Sequence, residues 1–239
     1  MKMSANPFQA CLDTLLSPSV AFDTIKEKKG WSWLPFIILL TSTFTLFLYY
    51  FNAVDFAWLK EQMINQAAAS KPMTDDELKV MASFYEKDTM LWTTAIGGTV
   101  GFVIINILTA VYYNIATKVT AGSEYKFTQW FAFTWWASLP AIVSALLSAL
   151  VIFFSADGLV SMQDLQPTSF NSLLFSVEAS SAWFGLLEAL NLFTFWMIAI
   201  TAIGLRSWLN IKSKKALIIA AAPQLFIFSF WALYILFIA

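Results

Sequence analysis

Uncharged, mostly apolar residues run unbroken in five places: 30–54, 89–117, 127–156, 189–205 and 216–239, which are 25, 29, 30, 17 and 24 residues long. An α-helix rises about 1.5 Å per residue, so about 20 apolar residues cross a hydrocarbon core of about 30 Å. All five runs are close to or above that length. The pattern predicts membrane-spanning helices at about 34–51, 91–115, 130–154, 186–205 and 217–238. Segment 1–33 precedes this membrane domain (34–239), and loops 52–90 and 155–185 interrupt it. The expected fold class is an all-α integral membrane protein with five transmembrane helices and short amphipathic interfacial helices. A soluble globular domain is excluded.

The polar positions predict shorter elements between the spans. Asn6-Pro7 and Ser17-Pro18 each place a capping residue before a proline at the first helical position. Phe8, Cys11, Leu12, Leu15 and Leu16 follow helical spacing on one apolar face, and Gly30 is placed to end the second helix. Met1 and Lys2 lead into polar residues and not into an apolar core, so no cleavable signal is expected. Two readings fit this head: a docking segment lying on the inner leaflet with its basic residues near anionic lipid, or a cover for the cytoplasmic end of the helix bundle. In the first loop, Thr74 and Glu77 form a capping-box pattern, with Met73 and Leu78 as its staple. Leu78, Met81 and Tyr85 share one helical side, as do Phe56, Leu59 and Met63.

Charge sets the expected orientation. Segments 1–33, 116–129 and 206–215 hold ten lysines and arginines: Lys2, Lys26, Lys28, Lys29, Lys118, Lys126, Arg206, Lys212, Lys214 and Lys215. The two outer loops hold four, Lys60, Lys71, Lys79 and Lys87, against ten acidic residues. Basic residues concentrate in cytoplasmic connections, so the N-terminus is expected inside and the C-terminus outside. Trp31, Trp33, Tyr49 and Tyr50 bracket the first span as interfacial anchors. The chain has no Asn-x-Ser/Thr acceptor, which leans toward the inner membrane of a bacterium.

Composition removes chemistries. Histidine is absent and Cys11 is the only cysteine, so four nitrogen or sulfur ligands for zinc or iron–sulfur cannot come from one chain. Nucleophilic catalysis with a histidine base is equally excluded. No metal, no cofactor and no enzymatic activity are expected. A net charge of −1 gives no basic footprint for nucleic acid, so none is expected as a partner.

Few residues are left that could form a site. Asn106 lies near the middle of span two, where an amide must find a partner inside the protein. The spacing of Gly97 and Gly101 in the same span predicts close approach of another helix. Pro140 and Pro223 lie near the middle of spans three and five, and each should free a carbonyl one turn earlier. Glu188, with Asn191 three residues on and thus on the same helical face, is the one ionisable group in or near a span. Glu188 is 18 residues before Arg206, about 27 Å of helix, which puts it near the outer boundary. Asn106, Pro140, Glu188, Asn191 and Pro223 are the candidate binding residues.

Several stretches together resemble one family. NPFQACLDTLLSPSVAFDTIKEKKGWSWLPFIIL looks like the opening of bacterial members of the Yip domain family, with a Ser-Pro and an aromatic before a lysine-rich turn and a first span. FTQWFAFTWWASLPAIVSALL resembles the family's third span with its internal proline, and LEALNLFTFWMIAITAIGL followed by SKKALIIAAAPQL resembles its fourth span, basic turn and fifth span. The family is named for eukaryotic relatives that interact with Ypt/Rab GTPases. The resemblance implies five spans and a cytoplasmic N-terminus. This chain differs from the eukaryotic members in having a 33-residue head and not a long polar N-terminal domain. It carries no family catalytic residue. The expected function is that of a non-catalytic adapter or membrane-organising protein, partnered by the lipid bilayer and by another membrane protein or a second copy. The alternative is a small-molecule or lipid transporter or channel with a polar cavity between helices.

Overall fold

The computed structural model describes residues 3–28, 30–70, 73–155 and 157–237. Met1, Lys2, Lys29 and Lys71, which entered the reading of the head and the charge count, lie outside the described residues, as does Ile238 at the expected end of span five. In chain order the helices are α1 (Pro7–Leu16), α2 (Pro18–Ile25), α3 (Trp33–Ala53), α4 (Phe56–Ser70), α5 (Asp75–Phe84), α6 (Lys87–Ala121), α7 (Phe127–Ala137), α8 (Pro140–Phe154), α9 (Phe184–Ala189), α10 (Leu192–Leu209) and α11 (Ser213–Phe237). A π-helical turn covers Asn171–Phe175. Among the described residues, five stretches are long and apolar enough to cross a membrane: α3, α6, α7 with α8, α10 and α11. The chain is an all-α, multi-pass membrane protein. Along α6, Trp92, Ile96, Val100, Ile104, Leu108, Val111 and Ile115 lie exposed. Water would penalise so long an apolar row, whereas hydrocarbon accepts it.

The chain divides into two compact units. The first comprises Met1–Thr41, Val100–Val143 and Phe193–Ser229. Its core is aromatic: Phe22, Tyr113, Trp130, Phe133 and Trp208 are buried together. Ring centroids lie 4.9 Å apart for Phe22 and Phe133 and 5.0 Å for Phe133 and Trp208. Gly204 on α10 admits these rings, because a Cβ there would sit 2.7 Å from Phe133 Cε2 and 2.8 Å from Phe22 Cδ1.

The head is built into this core. Asn6 caps α1 by accepting from Gln9 N–H at 2.9 Å, whereas Ser17 makes no side-chain cap for α2. Trp208 Nε1 donates to the Phe22 carbonyl at 3.1 Å, Ser207 Oγ donates to the Asp23 carboxylate, and Lys26 Nζ donates to the Trp208 carbonyl at 3.3 Å. Three bonds thus pin α2 to the end of α10. The apolar residues expected on one face of α1 occupy two: Cys11 and Leu15 pack inward, whereas Phe8, Leu12 and Leu16 are 67%, 55% and 80% exposed. Helix α2 stops at Ile25, short of Gly30, and Gly30 takes φ +86° in the turn before α3. Glycine adopts that conformation without steric cost.

The second unit comprises Ser42–Thr99, Ser144–Leu192 and Phe230–Ala239. Tyr50, Phe51, Val54, Leu59, Leu91 and Ile152 form its core with Val160 and Leu165. Residues 157–165 are fastened by Tyr50 Oη donating to the Val160 carbonyl at 2.8 Å and Ser148 Oγ donating to the Leu165 carbonyl at 2.6 Å. Gly158, at φ +65°, accepts from Asp55 N–H at 2.9 Å, and a Cβ on it would meet the Ala53 carbonyl at 2.8 Å. The capping box of α5 forms as its sequence predicts, with Thr74 N–H on Glu77 Oε2 at 2.7 Å and Glu77 N–H on Thr74 Oγ1 at 3.3 Å. Nothing lies within 4 Å of a Cβ built on Gly97 or Gly101; the close approach is at Gly98, 2.8 Å from Phe47 Cε2.

Span four differs from its predicted bounds of 186–205. The helix runs over Leu192–Leu209, and α9 is a separate short helix. Backbone pairing causes the break: Phe170 N–H donates to the Leu190 carbonyl at 2.7 Å and Leu192 N–H to the Thr168 carbonyl at 3.1 Å, around an antiparallel bridge between Ser169 and Asn191. Groups that a continuous helix would satisfy are satisfied by the loop, so the interruption leaves them paired.

Candidate functional site

Asn106, Pro140 and Pro223 belong to the first unit, Glu188 and Asn191 to the second. In the first unit, each proline removes an N–H from its helix. The carbonyl one turn before Pro140 is that of Trp136, which accepts instead from Leu139 N–H at 3.2 Å in a tighter turn, and the helix restarts at Pro140. Asn106 of α6 meets this break. It is 3% exposed, accepts from Ser138 Oγ at 3.3 Å and donates from Nδ2 to the Phe102 carbonyl at 3.0 Å.

The carbonyl one turn before Pro223 is that of Ile219. It accepts from Tyr112 Oη at 2.9 Å. The same helix α6 therefore supplies a side chain at both proline sites, Asn106 accepting from Ser138 beside the α7–α8 break and Tyr112 donating to the carbonyl freed in α11. Neither Asn106 nor a proline carries a titratable proton, and the Tyr112 hydroxyl is engaged with the Ile219 carbonyl, so the set as built serves hydrogen bonding. Gln224 Oε1, next to Pro223, is buried and has no hydrogen-bond partner. Sequence reasoning named Asn106 and the prolines but missed Tyr112 and Ser138. The signal for Tyr112 was available, since a freed carbonyl in a membrane helix calls for a donor nearby.

In the second unit, Glu188 lies on α9 and Asn191 in the bridge with Ser169. The helix break between them removes the common face that a three-residue spacing predicts. Glu188 Oε2 is buried without a hydrogen-bond partner. Among the described residues no three histidine, cysteine, aspartate or glutamate side chains gather as a metal site would require. Outside the spans, burial in the head pushes the Cys11 thiol up to about 11, away from the range of a reactive nucleophile.

Two adjoining cavities lie in the first unit. One, of about 450 Å³, is lined by Lys26 and Lys28 from the head and by Lys126, Thr128 and Gln129 from the start of α7. The other, of about 490 Å³, is lined by Trp33, Phe36, Val103, Phe131 and Trp135. Gly30, Ser32, Thr128 and Ala132 line both. The sequence marked all three lysines as indicators of orientation, and those of the head also as basic residues near anionic lipid, but not as lining one cavity with the start of α7.

Compared with known families, residues 12–237 match the Yip1 domain, from within α1 to the end of α11. The chain belongs to the Yip1 domain family. No curated protein and no solved structure matches it. The matched residues include those of the aromatic core, both proline sites and the lysine-lined cavity.

Proposed function

We propose that this Yip1 domain protein is a non-catalytic adapter or membrane organiser in the inner membrane of a bacterium, with its N-terminus inside and its C-terminus outside. The charge distribution between connections supports that orientation. The observation that carries the adapter reading is the outward row Phe8, Leu12 and Leu16 on α1, exposed on a helix whose other side is fixed to the core. A rigid, preformed apolar row loses little conformational freedom on docking, which favours recognition of an apolar helical surface on a second membrane protein. The test is a photo-crosslinking residue at position 12 in the native membrane, with one at position 19 on α2 as control. One discrete protein product at position 12 that is absent at 19, and lost when Phe8 and Leu16 are changed to Ser, supports the reading. Crosslinks to lipid alone would sink it.

A second reading, a transporter or channel using Asn106, Pro140, Glu188, Asn191 and Pro223, draws on the unpartnered buried oxygens of Glu188 and Gln224. Buried polar atoms without partners are costly and mark places where a ligand or water serves. Glu188→Gln combined with Asn191→Ala should then abolish a measured flux or lipid-transfer signal; unchanged signals in every assay would remove this reading.

A further inference from the structure

We infer that the paired cavities of the first unit form a binding site for one anionic phospholipid, with its phosphate among Lys26, Lys28 and Lys126 and an acyl chain against Trp33, Phe36 and Trp135. Three observations support this independently of the adapter reading. The first is charge. The only ion pair among the described residues is Lys79 with Asp76, so none of the three lysines is neutralised by a described carboxylate, and no carboxylate lines the cavity. Lys26 is held in place by a neutral acceptor, the Trp208 carbonyl, and Lys28 lies 6.0 Å from the Trp31 ring centroid. Both contacts position a cation without cancelling it.

The second observation is the polar complement. Thr128 is at the start of α7, whose first N–H groups give that end of the helix partial positive charge. Ser32 Oγ accepts from Trp136 Nε1 at 2.9 Å, which leaves its own hydroxyl proton to donate. Hydroxyls and lysines at one rim are what phosphate oxygens require.

The third is the adjoining apolar space. A free phosphate would need only the cationic cavity. The second cavity shares four lining residues with the first and is walled by aromatic rings, so an amphiphile fills both and an inorganic anion fills one. Each volume falls within the range of small-molecule sites, about 300–1,000 Å³.

The experiment is native mass spectrometry of the full chain in nanodiscs of equal phosphatidylglycerol and phosphatidylcholine. Folding of each variant is checked by its thermal transition. Wild type should keep one phosphatidylglycerol. Lys26→Gln, Lys28→Gln and Lys126→Gln should each weaken retention roughly fivefold, and the triple variant on the order of 100-fold. The equally charged control Lys118→Gln/Lys212→Gln/Lys214→Gln should retain wild-type binding. Ala132→Leu, placed where the cavities meet, should expel the lipid while all three lysines remain. Displacement of the lipid by millimolar inorganic phosphate alone would show a free-anion site and overturn the proposal. Equal retention of phosphatidylcholine, or equal losses in the control triple, would overturn it as well.

Discussion

Tyr112→Phe tests the reading that α6 repairs the proline site of α11. The substitution deletes one oxygen and leaves the ring. It removes a 2.9 Å hydrogen bond to the Ile219 carbonyl, whose ordinary helical donor at position 223 is a proline. An unsatisfied buried acceptor costs about 1–3 kcal/mol in soluble proteins, whereas interhelical hydrogen bonds in membranes average about 0.6 and reach about 1.7 kcal/mol. Ile219 is buried, and hydrocarbon offers no replacement donor, so a loss of about 1 kcal/mol is expected, with a ceiling of about 2 kcal/mol. In a Pro223→Ala background the new N–H can bond the Ile219 carbonyl directly, and the cost of Tyr112→Phe should fall below about 0.5 kcal/mol. The assay is SDS-driven unfolding in mixed micelles, followed by the fluorescence of the 11 tryptophans. Equal costs for Tyr112→Phe with Pro223 in place and in the Pro223→Ala background would refute the coupling, since a double-mutant cycle isolates it.

Gly204→Ala should destabilise by about 1–3 kcal/mol in the same assay, despite the better helix propensity of alanine, because buried Phe22 and Phe133 have no room to yield; a neutral or stabilising result would mean the rings move. Cys11, with its thiol raised from 9.0 to about 11, should react with a maleimide roughly 100-fold more slowly at pH 8 than an ordinary thiol, the rate still rising about tenfold per unit at pH 9.5; a plateau near pH 9 would contradict the burial. Because the folded head holds that proton more tightly than the unfolded chain, the associated stability is complete below about pH 9 and lost as pH rises through about 11. Thr74→Ala should release α5 to faster hydrogen exchange at a cost of about 0.5–2 kcal/mol locally and leave the global transition unchanged, since α5 buries no residue; a shift of the global transition would count against a peripheral α5.

What was legible in the sequence was local. Apolar runs reported the spans, and the Thr74–Glu77 box formed because both partners lie within one helical turn. Pro140 and Pro223 were read as freeing carbonyls, but the donation from Tyr112 to the Ile219 carbonyl and the pairing of Ser138 with Asn106 depend on which helices pack together. Span four was misplaced for the same reason. Residues 186–191 carry three leucines beside Glu188 and Asn191 and hold no glycine or proline that would mark a helix end, and the break is set by pairing with residues 168–170, about 20 positions earlier in the chain. Glycine spacing named Gly97 and Gly101, whereas the facing ring of Phe47 selects Gly98. Lys26, Lys28 and Lys126 share a cavity only once α2 and α7 are folded against one core.

The adapter reading is tested most directly by native mass spectrometry of the chain lifted from its own membrane in polymer nanodiscs. A reproducible complex with a second membrane protein, or with another copy, that dissociates in a Phe8→Ser/Leu12→Ser/Leu16→Ser variant with an unchanged thermal transition is the expected result. A single, protein-free chain in the wild-type membrane would contradict it.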